Sequence, residues 1–271
     1  MSRALAVFHG HFGRATVYQL NRPFNVHAHR EGHLIFHIGG TPGSIEVLEQ
    51  PHLLCEDTVV AVNPWEPHNF LPQDLAHGAL FLVLYVNADW FAGVRGLRFG
   101  CTKFRRTATL DRNIRAAAAM VCGAPSLNGL DGELRSLIEA CHEESWRQAD
   151  ASPEGHAGAA VTDFRVRKSI KLLAEGIGAE IEFDAIARQA GLSRPHFYKL
   201  FRTQTGITPH LYVNTLLMER ALDSLVTTEA SIADIGFDLG FSSQSSFTHF
   251  FAGNVGMAPT DYRRAAKVLR A

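Results

Sequence analysis

The hydrophobic pattern changes its period once along the chain. Up to about residue 105 the apolar positions come as short runs bounded by glycine and proline. Thr58-Val59-Val60-Ala61-Val62 is rich in β-branched residues and stops at Asn63-Pro64. The stretch from Phe36 to Glu49 is divided by the turn cluster Gly39-Gly40-Thr41-Pro42-Gly43. Ala79 to Val86 is an uninterrupted apolar run of strand length. Short strands punctuated in this way predict a small β-barrel or sandwich.

Beyond this region the spacing becomes helical. Asp111 to Val121 is alanine-rich, and Asp131 to Gln148 sets Leu134, Leu137, Ile138 and Cys141 along one stripe. That stripe suits packing against the strands or pairing with a second copy, and the sequence leaves both open. Residues 149–160 (ADASPEGHAGAA) are small and polar with Pro and Gly, the composition of a linker. From Val161 onward the pattern is helical.

The C-terminal part repeats itself. Ile186, Ala187, Gly191 and Leu192 match Ile235, Gly236, Gly240 and Phe241 at an offset of 49. After one inserted residue the offset is 50, and Phe197, Phe201, Gly206, Pro209 and Tyr212 match Phe247, Phe251, Gly256, Pro259 and Tyr262. A duplicated unit of this length means two copies of one supersecondary structure. Its features suit a helix-turn-helix. A small residue (Ala187, Gly236) lets two helices approach. A glycine four positions later supplies positive φ for the turn. An apolar plug follows (Leu192, Phe241), then a serine suited to cap the second helix (Ser193, Ser242-Ser243). That second helix buries Phe197, Leu200 and Phe201 in one copy and Phe247, Phe250 and Phe251 in the other.

The faces left over are rich in hydrogen-bond donors. The first carries Arg194, His196, Tyr198, Lys199 and Arg202; the second carries Gln244, Ser245, Ser246, Thr248 and His249, and neither bears a carboxylate. Arg and Lys pair with guanine or phosphate, and Gln bonds adenine in two places. Lys171, on the preceding helical segment, is a further phosphate candidate. A solvated helix face is the plain alternative, but two copies with the same ordered features favour DNA. Pro209 to Val226 reads as one amphipathic helix joining the copies.

Bulk composition adds little. The formal net charge is -1, with +2 over residues 160–271 and -3 over the rest, so a polyanionic partner must be argued from local placement. Cys55, Cys101, Cys122 and Cys141 form no C-x-x-C pair and read as reduced thiols. The N-terminal Met1-Ser2-Arg3-Ala4-Leu5 lacks a signal-peptide run, and no apolar stretch is long enough to span a membrane, so a soluble cytoplasmic protein is expected.

Residues from about 165 to 265 resemble the DNA-binding domain of the AraC/XylS family of bacterial regulators. The stretches AIARQAGLSRPHFYKLFRTQTGITPHLY and IADIGFDLGFSSQSSFTHFFAGNVGMAPTDYRR carry the likeness. The resemblance implies a sequence-specific activator or repressor with a regulatory N-terminal domain. It further implies double-stranded DNA, a small-molecule effector, a second copy of the chain and RNA polymerase as partners.

Histidine is concentrated in the strand-rich half. His27-x-His29-x-x-x-His33 is followed later by Pro64-Trp65-Glu66-Pro67-His68. Residues two apart on a strand share a face, so His27 and His29 can meet in one cavity, with His33 on the same parity and His68 approaching from a neighbouring strand. Three or four neutral imidazoles suit Zn²⁺ or a similar divalent transition metal; otherwise they line an organic effector pocket with Arg30, Glu31, Trp65 or Glu66. The spacing resembles the cupin barrel, whose first motif is H-x-H-x-x-x-E; His33 stands in the Glu position.

The chain is therefore expected to be α+β. A cupin-like β-barrel sensor (1–105) and a helical extension (106–148) precede the linker (149–160), and an all-α domain with two helix-turn-helix units (161–271) follows. A DNA-binding regulator is the function expected, without catalysis. The alternative is a cupin metalloenzyme, a dioxygenase or isomerase, with an appended DNA-binding domain.

Overall fold

The computed structural model describes residues 2–87, 98–123, 129–149 and 161–268. Most of the expected linker, residues 150–160, lies outside them. The chain forms two compact units, Met1–Gly155 with Ala252–Ala271, and His156–Phe251. Among the described residues no helix is long and apolar enough to cross a membrane.

The first unit is built on two sheets. The larger contains β1 (Arg3–Gly10), β2 (Gly13–Leu20), β4 (Gly32–Gly40), β7 (Thr58–Val62), β9 (Ala79–Val86), β10 (Lys103–Arg105) and β11 (Ala266–Val268), in the order β10-β7-β4-β9-β2-β1-β11. The smaller is β3 (Phe24–His27), β8 (His68–Pro72), β5 (Gly43–Val47) and β6 (Gln50–Leu54), in the order β3-β8-β5-β6. The expected closed barrel is thus two open sheets, because the strands of each pair only within their own sheet. One segment expected to be helical, Ala266–Val268, instead pairs parallel with β1.

Alternation along β2, β4 and β9 assigns the two faces of the larger sheet. Ala15, Val17, Leu34, Phe36, Leu82, Leu84 and Val86 join one apolar core with Leu110, Ile114, Leu134, Leu137 and Ile138 of α1 (Ala108–Gly123) and α2 (Leu130–Arg147). The helical extension therefore spends its stripe on the sheet. The opposite face carries Arg14, Thr16, Tyr18, His33, Ile35, His37, Phe81, Val83 and Tyr85. The smaller sheet covers it, with the Phe70 ring 5.4 Å from Phe81 and the His68 ring 4.5 Å from His33.

The second unit opens with α3 (Phe164–Glu175), capped by the Asp163 carboxylate, which accepts from Arg165 N–H at 2.9 Å. The first repeat is α4 (Phe183–Gln189) and α5 (Arg194–Thr205), and the second is α7 (Ile232–Asp238) and α8 (Gln244–Val255). Between them runs α6 (Pro209–Thr227), capped by Thr208 and tied to the α3–α4 loop by Arg220, which donates to the Ile177 carbonyl at 2.9 Å. The final helix, α9 (Pro259–Ala265), groups with the first unit.

The two turns share one hydrogen-bond pattern. Leu192 N–H donates to the Ala187 carbonyl and Phe241 N–H to the Gly236 carbonyl, each at 2.9 Å. Gly191 has φ 73° and Gly240 φ 87°, the left-handed conformation that a side chain disfavours. A Cβ on Gly236 would stand 3.0 Å from Cβ of Phe247, which is why a residue this small sits there. No described residue lies within 4 Å of a Cβ built on Gly191, so Gly191→Ala isolates the backbone cost. It should lower stability by about 1–2 kcal/mol in denaturant titration; an unchanged midpoint would remove the conformational reason for glycine at this turn.

Candidate nucleic-acid interface and histidine centre

The α5 and α8 faces are formed by what their buried stripes leave outside. Phe197 and Phe201 of α5, and Phe247 and Phe251 of α8, are fully buried, while Leu200 and Phe250 are half-buried. Rotating away from these anchors exposes Arg194, His196, Lys199 and Arg202 on α5, and Gln244, Ser245, Ser246 and His249 on α8. Tyr198 behaves differently. Its ring lies against Phe197, Phe183 and His210, and its hydroxyl is buried without a partner among the described residues.

Two details depart from expectation. Ser193 occupies the N-cap of α5 but its side chain makes no capping bond, whereas Ser243 accepts from Ser246 N–H at 3.1 Å and caps α8. The α5 face is also not free of carboxylates, because Asp184 of α4 pairs with Arg194 at 3.2 Å. Both partners are exposed, so that pair is weak and yields to a stronger anion. Lys171 is exposed and lies 3.8 Å from Glu175.

In the first unit, the elements that carry the histidines differ from the sequence reading. His27 ends β3 and is the register partner of His68 on β8. His29 lies beyond the strand, in a segment held by Trp65 N–H, which donates to the His29 carbonyl at 2.8 Å. His33 belongs to β4 of the other sheet, so strand parity with His27 is not what brings it near. His27, His29 and His68 form a triad whose ligand atoms lie within 4.8 Å of one another. The His33 ring is 4.5 Å from that of His68 and 5.3 Å from that of His29, but His33 is outside the triad.

Backbone carbonyls select the tautomers. His27 Nδ1–H donates to Asn25 at 2.7 Å and His68 Nδ1–H donates to Glu66 at 2.8 Å, which leaves both Nε2 lone pairs free. Carbonyl bonds of this kind orient the imidazoles of metal sites. Nε2 of His29 and of His68 are buried without partners among the described residues. Burial, the largest cause, outweighs the bond to Asn25 and with the Arg14 charge holds His27 at about 4; burial, then the neighbouring His27 and then the Arg14 charge hold His33 at about 3. His29 and His68 are pushed well below the ordinary histidine value by burial and then by neighbouring imidazoles. Neutral, oriented nitrogens with unspent lone pairs fit the donor set of Zn²⁺ or a related metal.

Glu66, a candidate for the pocket, is engaged elsewhere. Its carboxylate accepts from Asn63 N–H at 2.9 Å and from Asn63 Nδ2 at 3.1 Å. Sequence reasoning overlooked Arg14, Thr16 and Tyr85, which share this interior. The available signal was the alternation of Arg14, Thr16 and Tyr18 along β2.

Residues 186–265 match a family described as a helix-turn-helix domain. The HTH-type transcriptional activator RhaS of Escherichia coli O139:H28 (strain E24377A / ETEC) is 32% identical over 100 residues, which are 37% of this chain and 36% of that protein. The chain thus matches little more than a third of the length of this curated relative. Among solved structures, ToxT from Vibrio cholerae strain SCE256 with bound unsaturated fatty acid aligns at TM-score 0.60. The identity is 13%, over 92% of this chain and 94% of that one. ToxT from Vibrio cholerae O395 bound to (E)-4-(8-methylnaphthalen-1-yl)but-3-enoic acid aligns at TM-score 0.61, with 13% identity over 93% and 98%. Identities this low establish the fold alone, a mixed α+β architecture shared along most of the chain. The duplicated turns and the match over their residues make residues 186–265 a helix-turn-helix domain, similar to that of the AraC/XylS regulators its sequence resembles.

Proposed function

We propose that the chain is a sequence-specific DNA-binding transcription regulator whose N-terminal unit senses a small molecule or a divalent transition metal. The observation that carries this is the pair of helix-turn-helix units, each presenting an exposed face of donors on a helix anchored by two buried phenylalanines. RhaS is named as an activator, and ToxT structures hold a fatty acid and a butenoic acid derivative; both support a regulator with a ligand-responsive partner domain. Such a protein would act as a dimer on double-stranded DNA, with RNA polymerase as a further partner. A signal would work by favouring one arrangement of the chain over another.

His27, His29 and His68 are the residues that would hold a metal. A bound metal would supply either structural cross-linking of the smaller sheet or a ligand site for the effector. The same triad is what favours the metalloenzyme alternative, which turnover of a small molecule by the full chain would establish.

Repeated selection from a pool of random duplexes tests the regulator reading. The retained sequences should converge on one motif, bound about 10³-fold or more tighter than random DNA, with affinity falling as salt rises. A pool that stays random after selection would overturn it.

A further inference from the structure

Among the described residues, five buried polar atoms without partners gather between the two sheets of the first unit: Arg14 Nε, Thr16 Oγ1, His37 Nδ1, and Nε2 of His29 and His68. The last two belong to the triad. The first two belong to β2, two residues apart on the face turned toward the smaller sheet. Buried groups are normally paired, and a cluster that is not paired marks a place completed by something else.

Arg14 is the most demanding of them. It is 7% exposed and forms no ion pair among the described residues. Its guanidinium lies 3.7 Å from the centre of the Tyr85 ring, and Nη1 donates to the Tyr262 hydroxyl at 3.1 Å. Both neighbours are neutral, because burial, the largest cause, holds the Tyr262 phenol up at about 12 and raises that of Tyr85 as well. Glu31 acts on the Arg14 guanidinium favourably from beyond ion-pair distance, and a buried cation without a close counter-charge is costly and is tolerated where a ligand supplies one.

The register shows what kind of molecule would lie there. Arg14, Tyr85 and His33 form one row across β2, β9 and β4. The next row is Thr16, Val83 and Ile35, and the next is Tyr18, Phe81 and His37. A planar donor fork and a hydroxyl therefore stand at one end of a strip whose middle is apolar and whose far end is aromatic, with Phe70 against Phe81. The guanidinium fork matches a carboxylate in shape and cancels its single charge. A phosphate dianion would leave a negative charge buried.

We propose that Arg14, assisted by Thr16, anchors the carboxylate of a small organic monocarboxylate whose apolar body lies along Val83, Ile35 and Phe81. This deepens the effector reading of the N-terminal unit and rests on it.

Calorimetric titration of the full chain, at neutral pH and without DNA, tests the proposal. The probes are octanoate and 4-phenylbutanoate, each beside its primary amide, with phenyl phosphate as a third arm. Each carboxylate should bind at least about 10-fold tighter than its amide, and phenyl phosphate should bind more weakly than either carboxylate. Arg14→Met should abolish the preference over the amide, and Thr16→Val should weaken carboxylate binding several-fold. If Arg14→Met does not fold, Arg14→Lys, which keeps the charge but loses the fork, should lower affinity for the carboxylate more than for the amide. The proposal is overturned if neither carboxylate binds, if acids and amides bind alike, if phenyl phosphate binds tightest, or if the Arg14 variants bind as the parent does. Because no DNA is present, these results stand apart from the selection experiment. Failure here alongside converging duplex selection would remove the carboxylate and leave the regulator.

Discussion

Protein purified without chelator should carry close to one divalent transition-metal ion per chain, and His29→Ala or His68→Ala should carry almost none. Losing a residue that merely orients a metal ligand lowers affinity by about 10–100-fold, so losing a ligand should cost at least about 100-fold. The prediction follows from two lone pairs already oriented by Nδ1–H bonds and two Nε2 atoms buried without partners. His33→Ala separates a triad from a tetrad: with His33 outside the triad, that variant should retain the metal. His52→Ala, remote on β6, is the control. Elemental analysis after dialysis against Zn²⁺ or Co²⁺ reads the outcome, and a parent chain that neither contains nor takes up metal sinks the idea.

Acid should act on the same imidazoles in the metal-free chain. Their folded-state values lie below the ordinary 6.5, with His27 at about 4 and His33 at about 3. Between 6.5 and those values the unfolded chain binds more protons than the folded one. Stability therefore falls as pH falls through that window, by up to about 1.4 kcal/mol per pH unit for each imidazole. Denaturation midpoints at pH 7 and pH 5 should differ in this direction, and bound metal should oppose the loss near neutrality.

The helical half was legible because its constraints are local. Gly191 and Gly240 are required by φ, Gly236 by the Cβ of Phe247, and the phenylalanine stripes by helical period; each leaves its mark within a few residues of sequence. The strand half was legible as alternation but not as topology. Nothing near His33 reveals that β4 pairs with β7 and β9 while His27 pairs with His68 in another sheet. A closed barrel and two facing sheets share the same alternation and differ only in long-range pairing. Arg14 was passed over for a related reason: a single charged residue in a strand reads as solvent-facing until the partners of its face are known. Ser193 shows the limit from the other side, since a residue type suited to capping reached the N-cap without making the bond.

Arg194→Ala and Gln244→Ala should each relax discrimination among duplex sequences by about 1–3 kcal/mol, or roughly 5- to 150-fold at the affected positions. Each stands at the first turn of its helix, α5 or α8, where a recognition helix points its N-terminal residues at base edges. The exposed pair between Arg194 and Asp184 does not oppose this, because an ion pair in water contributes about 1 kcal/mol or less. Lys199→Ala and Lys171→Ala should behave differently. A phosphate contact carries no sequence information, so affinity should fall for every duplex alike, and the slope of log affinity against log salt should become shallower by about 0.9 per lost contact. Competition between the selected motif and its single-base variants, repeated at several salt concentrations, separates the two behaviours. If both first-turn variants keep the parent's order of preference while losing affinity uniformly, the helix starts grip backbone, and base reading must be sought farther along the exposed faces, at His196 or His249.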